Sequence, residues 1–432
     1  KEFNNIPKLE EEAILFEITK QKKTLELDEH NFLKLTNSLA ISKLNLGKNF
    51  NPYIEDNQNF YSIIYGCPLI NKKINQLKLI SIIYKEDINQ FKKIDGQFLA
   101  LLINKKSNKI TILSDRFNGI NLFYAVLEEK LLCSSSYYVL AKELKNQDKF
   151  EWSDKIIYDL IRMNRVFGYS TYDAKSKFLP PATVLEYDFK TLKEKKYWVP
   201  NFKKKNYKSP KDAGNLYIKK LSNSIFNLIN SEKNKKVVLF LSGGHDSRSI
   251  LSLVKRQITC ITTAYKKNNE VKIAEKCATK SNQKFIFCQL TNDHLIYYFD
   301  EAIKICSGFH SFADAFFIGI NRNIVNNNQV AIHGHGLDYL FQGSYLPTEW
   351  FKLFGKPTFF KVPRITKLPF SEDFIKNVPY RVKGVDVNKY IKYENRYFIY
   401  KELVSRIDEI RKKYATASSS KFDYWDMLLV DT

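Results

Sequence analysis

The segment that most constrains this chain is Val237-Val238-Leu239-Phe240-Leu241-Ser242-Gly243-Gly244-His245-Asp246-Ser247-Arg248-Ser249-Ile250-Leu251. It reads as an apolar strand, a polar Gly-Gly turn and an apolar-periodic helix over Ser247 to Val254. Further alternation follows, with strands over Ile258 to Ala264 and Phe285 to Leu290 and a helix over Val271 to Ser281. Strands alternating with helices predict an α/β, doubly wound parallel sheet. In such a turn two glycines let main-chain N–H groups approach an anion, and the helix start adds the positive end of its dipole. The hydroxyls of Ser242 and Ser247 and the charge of Arg248 add donors for phosphate. Asp246 would repel a phosphate unless a cation lies between them, so magnesium is expected there. The G-K-[ST] ending of a Walker loop is missing.

A second turn lies in Val330-Ala331-Ile332-His333-Gly334-His335-Gly336-Leu337-Asp338-Tyr339-Leu340-Phe341-Gln342-Gly343, again after an apolar strand. In an open parallel sheet both turns project beyond the carboxyl ends of the strands, where ligands bind. Asp246 and Asp338 are therefore expected to share the metal. His335 reads either as a general base, since imidazole titrates near neutral pH, or as a turn histidine satisfied by backbone.

Ser242-Gly243-Gly244-x-Asp246-Ser247 resembles the pyrophosphate loop of the N-type ATP pyrophosphatases, and within them the asparagine and β-lactam synthetases. That family's second motif is Gly-Glu-Gly-x-Asp-Glu-x-x-x-Gly; Gly334, Gly336, Asp338 and Gly343 keep it, while His335 and Tyr339 depart from both glutamates. The resemblance implies an adenine nucleotide α-hydrolase-like synthetase domain over residues 213–432, its C-terminal part open to truncation, because the chain stops where relatives place a late lysine. It implies ATP held by Leu239, Ser242, Gly243, Gly244, Asp246, Ser247, Arg248, Thr263 and Gly334, with Asp246 and Asp338 on Mg2+. Thr263 lies in Thr262-Thr263-Ala264-Tyr265, where the family holds adenosine. The expected catalytic residues are His335 and Asp246. The expected reaction is adenylation of a small-molecule carboxylate, release of pyrophosphate and capture by an amine.

Residues 1–200 are strand-rich, with apolar runs such as Leu79 to Tyr84 and Ile110 to Leu113 read as strands. Ile94 to Ile103, Ser114 to Ala125 and Leu179-Pro180-Pro181 resemble the glutaminase-type domain of the same family, implying an Ntn-hydrolase-like αββα domain. Asp115 to Tyr124 reads as a corner between strands, with Arg116 paired to a carboxylate. Enzymes of that class need an N-terminal cysteine and Cys67 is internal, so this domain is expected to be catalytically silent. Residues 201–212 read as a linker, and Pro347 to Val387 as irregular. Glu270, Asp293, Asp314 and His310 read as solvated surface.

The six cysteines are scattered with no C-x-x-C pair, which points away from zinc and disulfides. No apolar run reaches bilayer length and no secretory signal precedes the chain, so no membrane partner and a cytoplasmic location are expected. The net charge of +23 would suit nucleic acid, but its lysines are dispersed among abundant Asn, Ile, Phe and Tyr, so a solvated surface is expected instead. A homo-oligomer is left open, as are a glutamine-dependent asparagine synthetase, a tRNA-modifying pyrophosphatase and a non-catalytic scaffold.

Overall fold

In the computed structural model the described residues are 9–20, 33–36, 39–47, 50–163, 166–201, 208–231, 236–309, 317–319, 329–336, 346–364, 366–377 and 387–413. Within the front half, Phe98-Leu99-Ala100-Leu101-Leu102-Ile103 shows why a sandwich forms. Leu99, Leu101 and Ile103 point into one core, while Phe98, Ala100 and Leu102 point into another. A strand buried on both faces needs a layer on each side.

One layer is a second sheet. The first six-stranded sheet runs, in spatial order, Ser176–Phe178, Phe123–Leu127, Lys130–Ser134, Leu15–Lys20, Leu39–Asn45 and Leu33–Thr36. The other runs Leu192–Lys196, Thr183–Tyr187, Lys109–Ser114, Phe98–Asn104, Phe60–Gly66 and Tyr53–Asp56. Phe16, Ile18, Ile41 and Leu131 from the first meet Ile63, Leu101, Ile112 and Leu185 from the second in a shared core. Helix Tyr137–Asn146 packs on the outer face of the first sheet and helix Gln76–Tyr84 on that of the second. The layer order is thus the expected αββα.

Helix Gln76–Tyr84 corrects the strand expected at Leu79 to Tyr84. Leu79, Ile80, Ile82 and Ile83 are buried, the i, i+1, i+3, i+4 set of a helical stripe, and the Asn75 side chain accepts from Lys78 N at the helix start. The corner at Asp115 forms as expected. Its buried carboxylate accepts from the N–H groups of Phe98, Phe117 and Gly119. Burial raises the Asp115 pKa against those lowering bonds. Arg116 lies 3.8 Å from Asp95 and stacks over Trp198.

After helix Pro210–Ser231 comes a four-stranded parallel sheet in the order Lys284–Gln289, Thr259–Ala264, Lys236–Phe240, Gln329–Ile332. Its core holds Val237, Leu239, Cys260, Ile250 and Ala274 with Ile225 and Ile229 of the preceding helix. In chain order the strands read third, second, first, fourth. The direction of winding therefore reverses beside Lys236–Phe240, which makes the crevice between it and Gln329–Ile332 a topological switch point.

By its contacts the chain divides into two units, one of residues 1–150, 175–198 and 207–335, the other of residues 151–174, 199–206 and 336–432. Within the second, helix Asp154–Met163 packs against helices Phe370–Asn377 and Tyr393–Lys413 through Tyr158, Met163, Phe374, Leu403 and Ile407. The stretch expected to be irregular holds that second helix and an antiparallel hairpin, Thr348–Leu353 with Lys356–Pro363. A register shift between Trp350 and Lys352 breaks the alternation by which a strand is recognised.

Candidate functional site

The site begins where Lys236–Phe240 leaves the sheet. Leu241 N donates to Ile261 O at 2.8 Å, and Thr262 Oγ1 donates to Leu241 O at 2.6 Å, so the strand's last residue is still fastened to its neighbour. The chain then turns through Ser242-Gly243-Gly244 into helix His245–Leu253. That helix starts two residues before the expected Ser247. Gly244, extended at φ −74° and ψ 164°, is the N-cap, and it brings no side chain to the first-turn amides. A helix start of this kind presents its first-turn N–H groups toward the region beyond the helix end, where an anion is favoured.

The serines hold the turn rather than extend from it. Ser242 N donates to Ser247 Oγ at 3.0 Å, the two hydroxyls lie 2.9 Å apart, and Gly244 N donates to Ser242 Oγ at 3.1 Å. Arg248 folds back one helical turn, its Nε donating to Gly244 O at 3.0 Å, which sets a guanidinium beside the turn. Leu239 lies wholly within the core and Thr263 is half-buried near the end of the neighbouring strand.

One approach is close enough to require glycine, and a second is tight. A β-carbon on Gly334 would stand 2.8 Å from Ser247 N and 3.1 Å from Asp246 Cβ. The second turn is thus pressed against the first turn of the helix, and the two expected loops are together. A β-carbon on Gly243 would meet Glu270 Cγ at 3.0 Å and Glu270 O at 3.3 Å. Glu270 lies in the first turn of helix Asn269–Lys280; it is exposed, as expected, and flanks the Ser242-Gly243-Gly244 turn.

Asp246 occupies the first turn, where a carboxylate is favoured by the helix dipole. Its charge reaches Tyr217 of helix Pro210–Ser231, whose hydroxyl pKa is raised by burial and then by Asp246. Tyr217 shares the helix face of Leu221, Ile225 and Leu228, where a tyrosine reads as one more packing residue rather than as part of a site. His335 N donates to His333 Nδ1 at 3.3 Å, leaving the proton of a neutral His333 on Nε2. Partial burial, then the neighbouring His335, holds the His333 pKa below its ordinary value. Asp338, the expected second metal ligand, lies outside the described residues, as do His310 and Asp314. Among the described residues no three ligating side chains gather into a metal cluster. Magnesium asks for less, because it is commonly held by one or two carboxylates together with phosphate oxygens.

Residues 230–418 match the asparagine synthase family, a span that takes in the parallel sheet and both turns. Residues 230–418 belong to the asparagine synthetase-like family. Among solved structures the chain is similar to the glutamine phosphoribosylpyrophosphate amidotransferase from B. subtilis complexed with ADP and GMP, at 9% identity and a TM-score of 0.22, covering 58% of this chain and 51% of that one. It is also similar to an allosteric regulatory enzyme of purine biosynthesis, at 10% identity and a TM-score of 0.27, covering 74% of this chain and 88% of that one. The chain spans about half the length of the first of these. No curated protein matches the chain. No helix among the described residues is long and apolar enough to cross a membrane.

Proposed function

We propose that this asparagine synthetase-like chain adenylates a small-molecule carboxylate with ATP, releases pyrophosphate, and passes the acyl group to an amine. The observation that carries the reading is the seating of Gly334 on the helix start at Ser247, at the switch point of the parallel sheet. That contact brings the Asp246 turn of the helix and the histidine-bearing second turn side by side, which supports the reading.

In this reading the substrate carboxylate attacks the α-phosphorus of ATP, and the bond to pyrophosphate breaks. The first-turn amides of helix His245–Leu253 and the Gly243-Gly244 turn take up the leaving charge, with Arg248 beside them. Asp246, joined by Asp338, would hold magnesium, which supplies charge neutralisation on the phosphates when bound. His335 accepts the proton of the attacking amine as it displaces AMP from the acyl-adenylate. Positioning and electrostatics supply most of the catalysis, which suits a site built from backbone and one charged turn.

The test is exchange of labelled pyrophosphate into ATP across a panel of amino acids, peptides and amino sugars, with magnesium present. Substrate-dependent exchange supports adenylation. Turnover that instead yields ADP and phosphate, or pyrophosphate release that needs RNA, rejects it.

A further inference from the structure

The hairpin Thr348–Leu353 with Lys356–Pro363 is a two-stranded ribbon exposed along both faces. A ribbon of this kind normally carries polar side chains on at least one face, because two strands alone cannot bury an apolar set. Here the exposed positions are Trp350, Phe351, Leu353, Phe354, Phe359 and Phe360. Phe354, at the tip, is 96% exposed and Phe359 is 83% exposed. A contiguous apolar patch of this kind marks a surface that meets something other than water.

The tip is strained as well as apolar. Phe354 and Gly355 both have positive φ, at 49° and 76°, the pattern of a type I′ turn. Asn, Asp or Gly is the residue suited to the first of these positions. Phenylalanine pays a steric cost there and gains no burial within the chain in return.

The lysines decide the occupant. Residues 348–363 contain Lys352, Lys356 and Lys361 against the single acid Glu349. Lys361 lies over the Trp350 ring at 5.1 Å, and none of the three is drawn into an ion pair among the described residues. Aromatic rings interleaved with unpaired lysines are suited to a boundary that is apolar below and negatively charged above. A protein groove would have to wrap both faces of the ribbon and its tip, whereas a lipid headgroup layer surrounds an inserted hairpin on every side. A spanning helix is not required for this, since an interfacial anchor only enters the headgroup and acyl boundary.

We infer that the Thr348–Pro363 hairpin is an interfacial anchor that inserts Phe354 and its neighbouring rings into an anionic lipid surface, holding the ligase at a membrane.

The experiment is co-sedimentation of the full chain with phosphatidylcholine vesicles, with and without phosphatidylserine. The chain is expected to follow the phosphatidylserine vesicles, with a blue shift of tryptophan emission that Trp350→Phe removes. Phe354→Gly combined with Phe359→Ser should weaken partitioning by about tenfold or more, since inserted apolar area sets interfacial affinity. Each of Lys352→Gln and Lys356→Gln should weaken it by about fivefold at low salt. Phe354→Gly alone should leave thermal stability unchanged or higher, because glycine takes positive φ without strain, so lost binding is not lost folding. The inference is overturned if the chain ignores both vesicle types, or if the double variant binds as tightly as the parent, which would leave the net charge of +23 as the whole cause. It is also overturned if lipid-free self-association of the parent disappears in the double variant, which would make the hairpin a protein contact. None of these outcomes depends on pyrophosphate exchange, so the anchor and the proposed reaction fail separately.

Discussion

Gly334 and Ser247 stand so close that a single methyl group would part them: a β-carbon at Gly334 would lie 2.8 Å from the Ser247 backbone nitrogen. The neighbour is main chain at the start of a helix, which has no rotamer by which to yield. Contact between the two turns is therefore a property of residue 334 having no side chain.

Gly334→Ala tests that dependence. The added methyl has to push the second turn away from the helix start, at an overpacking cost of about 1–3 kcal/mol. Displacement of about 1 Å suffices to lose on the order of a hundredfold in rate when geometry carries the catalysis. Pyrophosphate exchange should fall by that factor while the far-ultraviolet spectrum is kept. Full activity in Gly334→Ala would separate the second turn from the reaction.

Ser247 is buried and its hydroxyl accepts from Ser242 N, so its removal leaves a turn amide without its partner. Ser247→Ala should cost about 1–3 kcal/mol in urea unfolding, the usual cost of orphaning a buried donor. Ser242→Ala, at a half-buried position where water can replace its bonds to Gly244 N and the Ser247 hydroxyl, should cost about 1 kcal/mol. A reversed ranking would mean that the hydroxyl pair does not hold the turn.

Asp246→Asn separates charge from shape. Removing an acid from the first turn of a helix costs about 0.5 kcal/mol in stability. Magnesium-dependent exchange should be abolished. The Tyr217 hydroxyl supplies an activity-independent readout, because its pKa is raised by burial and, second, by the charge of Asp246. In Asp246→Asn that pKa should move down toward 10.0, followed by ultraviolet titration against a Tyr217→Phe control. An unmoved tyrosine titration would show that the two groups do not interact.

Much of this arrangement was legible in the residues, and the failures have identifiable causes. The strand, Gly-Gly turn and helix were readable because β-branched residues favour extended backbone and paired glycines mark where the chain is free to turn. The helix start was misplaced because Ser247 has the composition of an N-cap, yet its hydroxyl turns inward to Ser242 while Gly244 takes the N-cap position. Leu79 to Tyr84 misled because a short apolar run is compatible with either period, and the deciding residue, Asn75, lies outside it. Glu270 is exposed as expected, and its nearness to the turn, which comes from what Gly243 lacks, has no pattern of its own in the sequence. The grouping of residues 151–174 with residues 336–432 is a long-range pairing that no local pattern encodes.

Beside its apolar core, that pairing includes a buried ion pair, which supplies the sharpest stability test. Arg406 Nη2 donates to Asp159 Oδ1 at 2.8 Å, and its Nη1 lies 2.6 Å from Oδ2. Asp159 is fully buried, and burial raises its carboxyl pKa although Arg406 opposes the shift. Arg406→Met removes the opposing charge and strands the carboxylate, a loss of about 3–5 kcal/mol at neutral pH. The sign with pH follows from linkage: a carboxyl whose folded pKa lies above its ordinary 3.8 holds its proton longer in the native state. Stability from this group is then present below 3.8 and is lost as pH rises through the folded value. Arg406→Met should therefore be far less destabilised in acid than at neutral pH, and adding Asp159→Asn should recover part of the loss at neutral pH only. Urea unfolding of the three variants at both pH values checks this, and a deficit that does not change with pH would show that Asp159 is not the stranded charge.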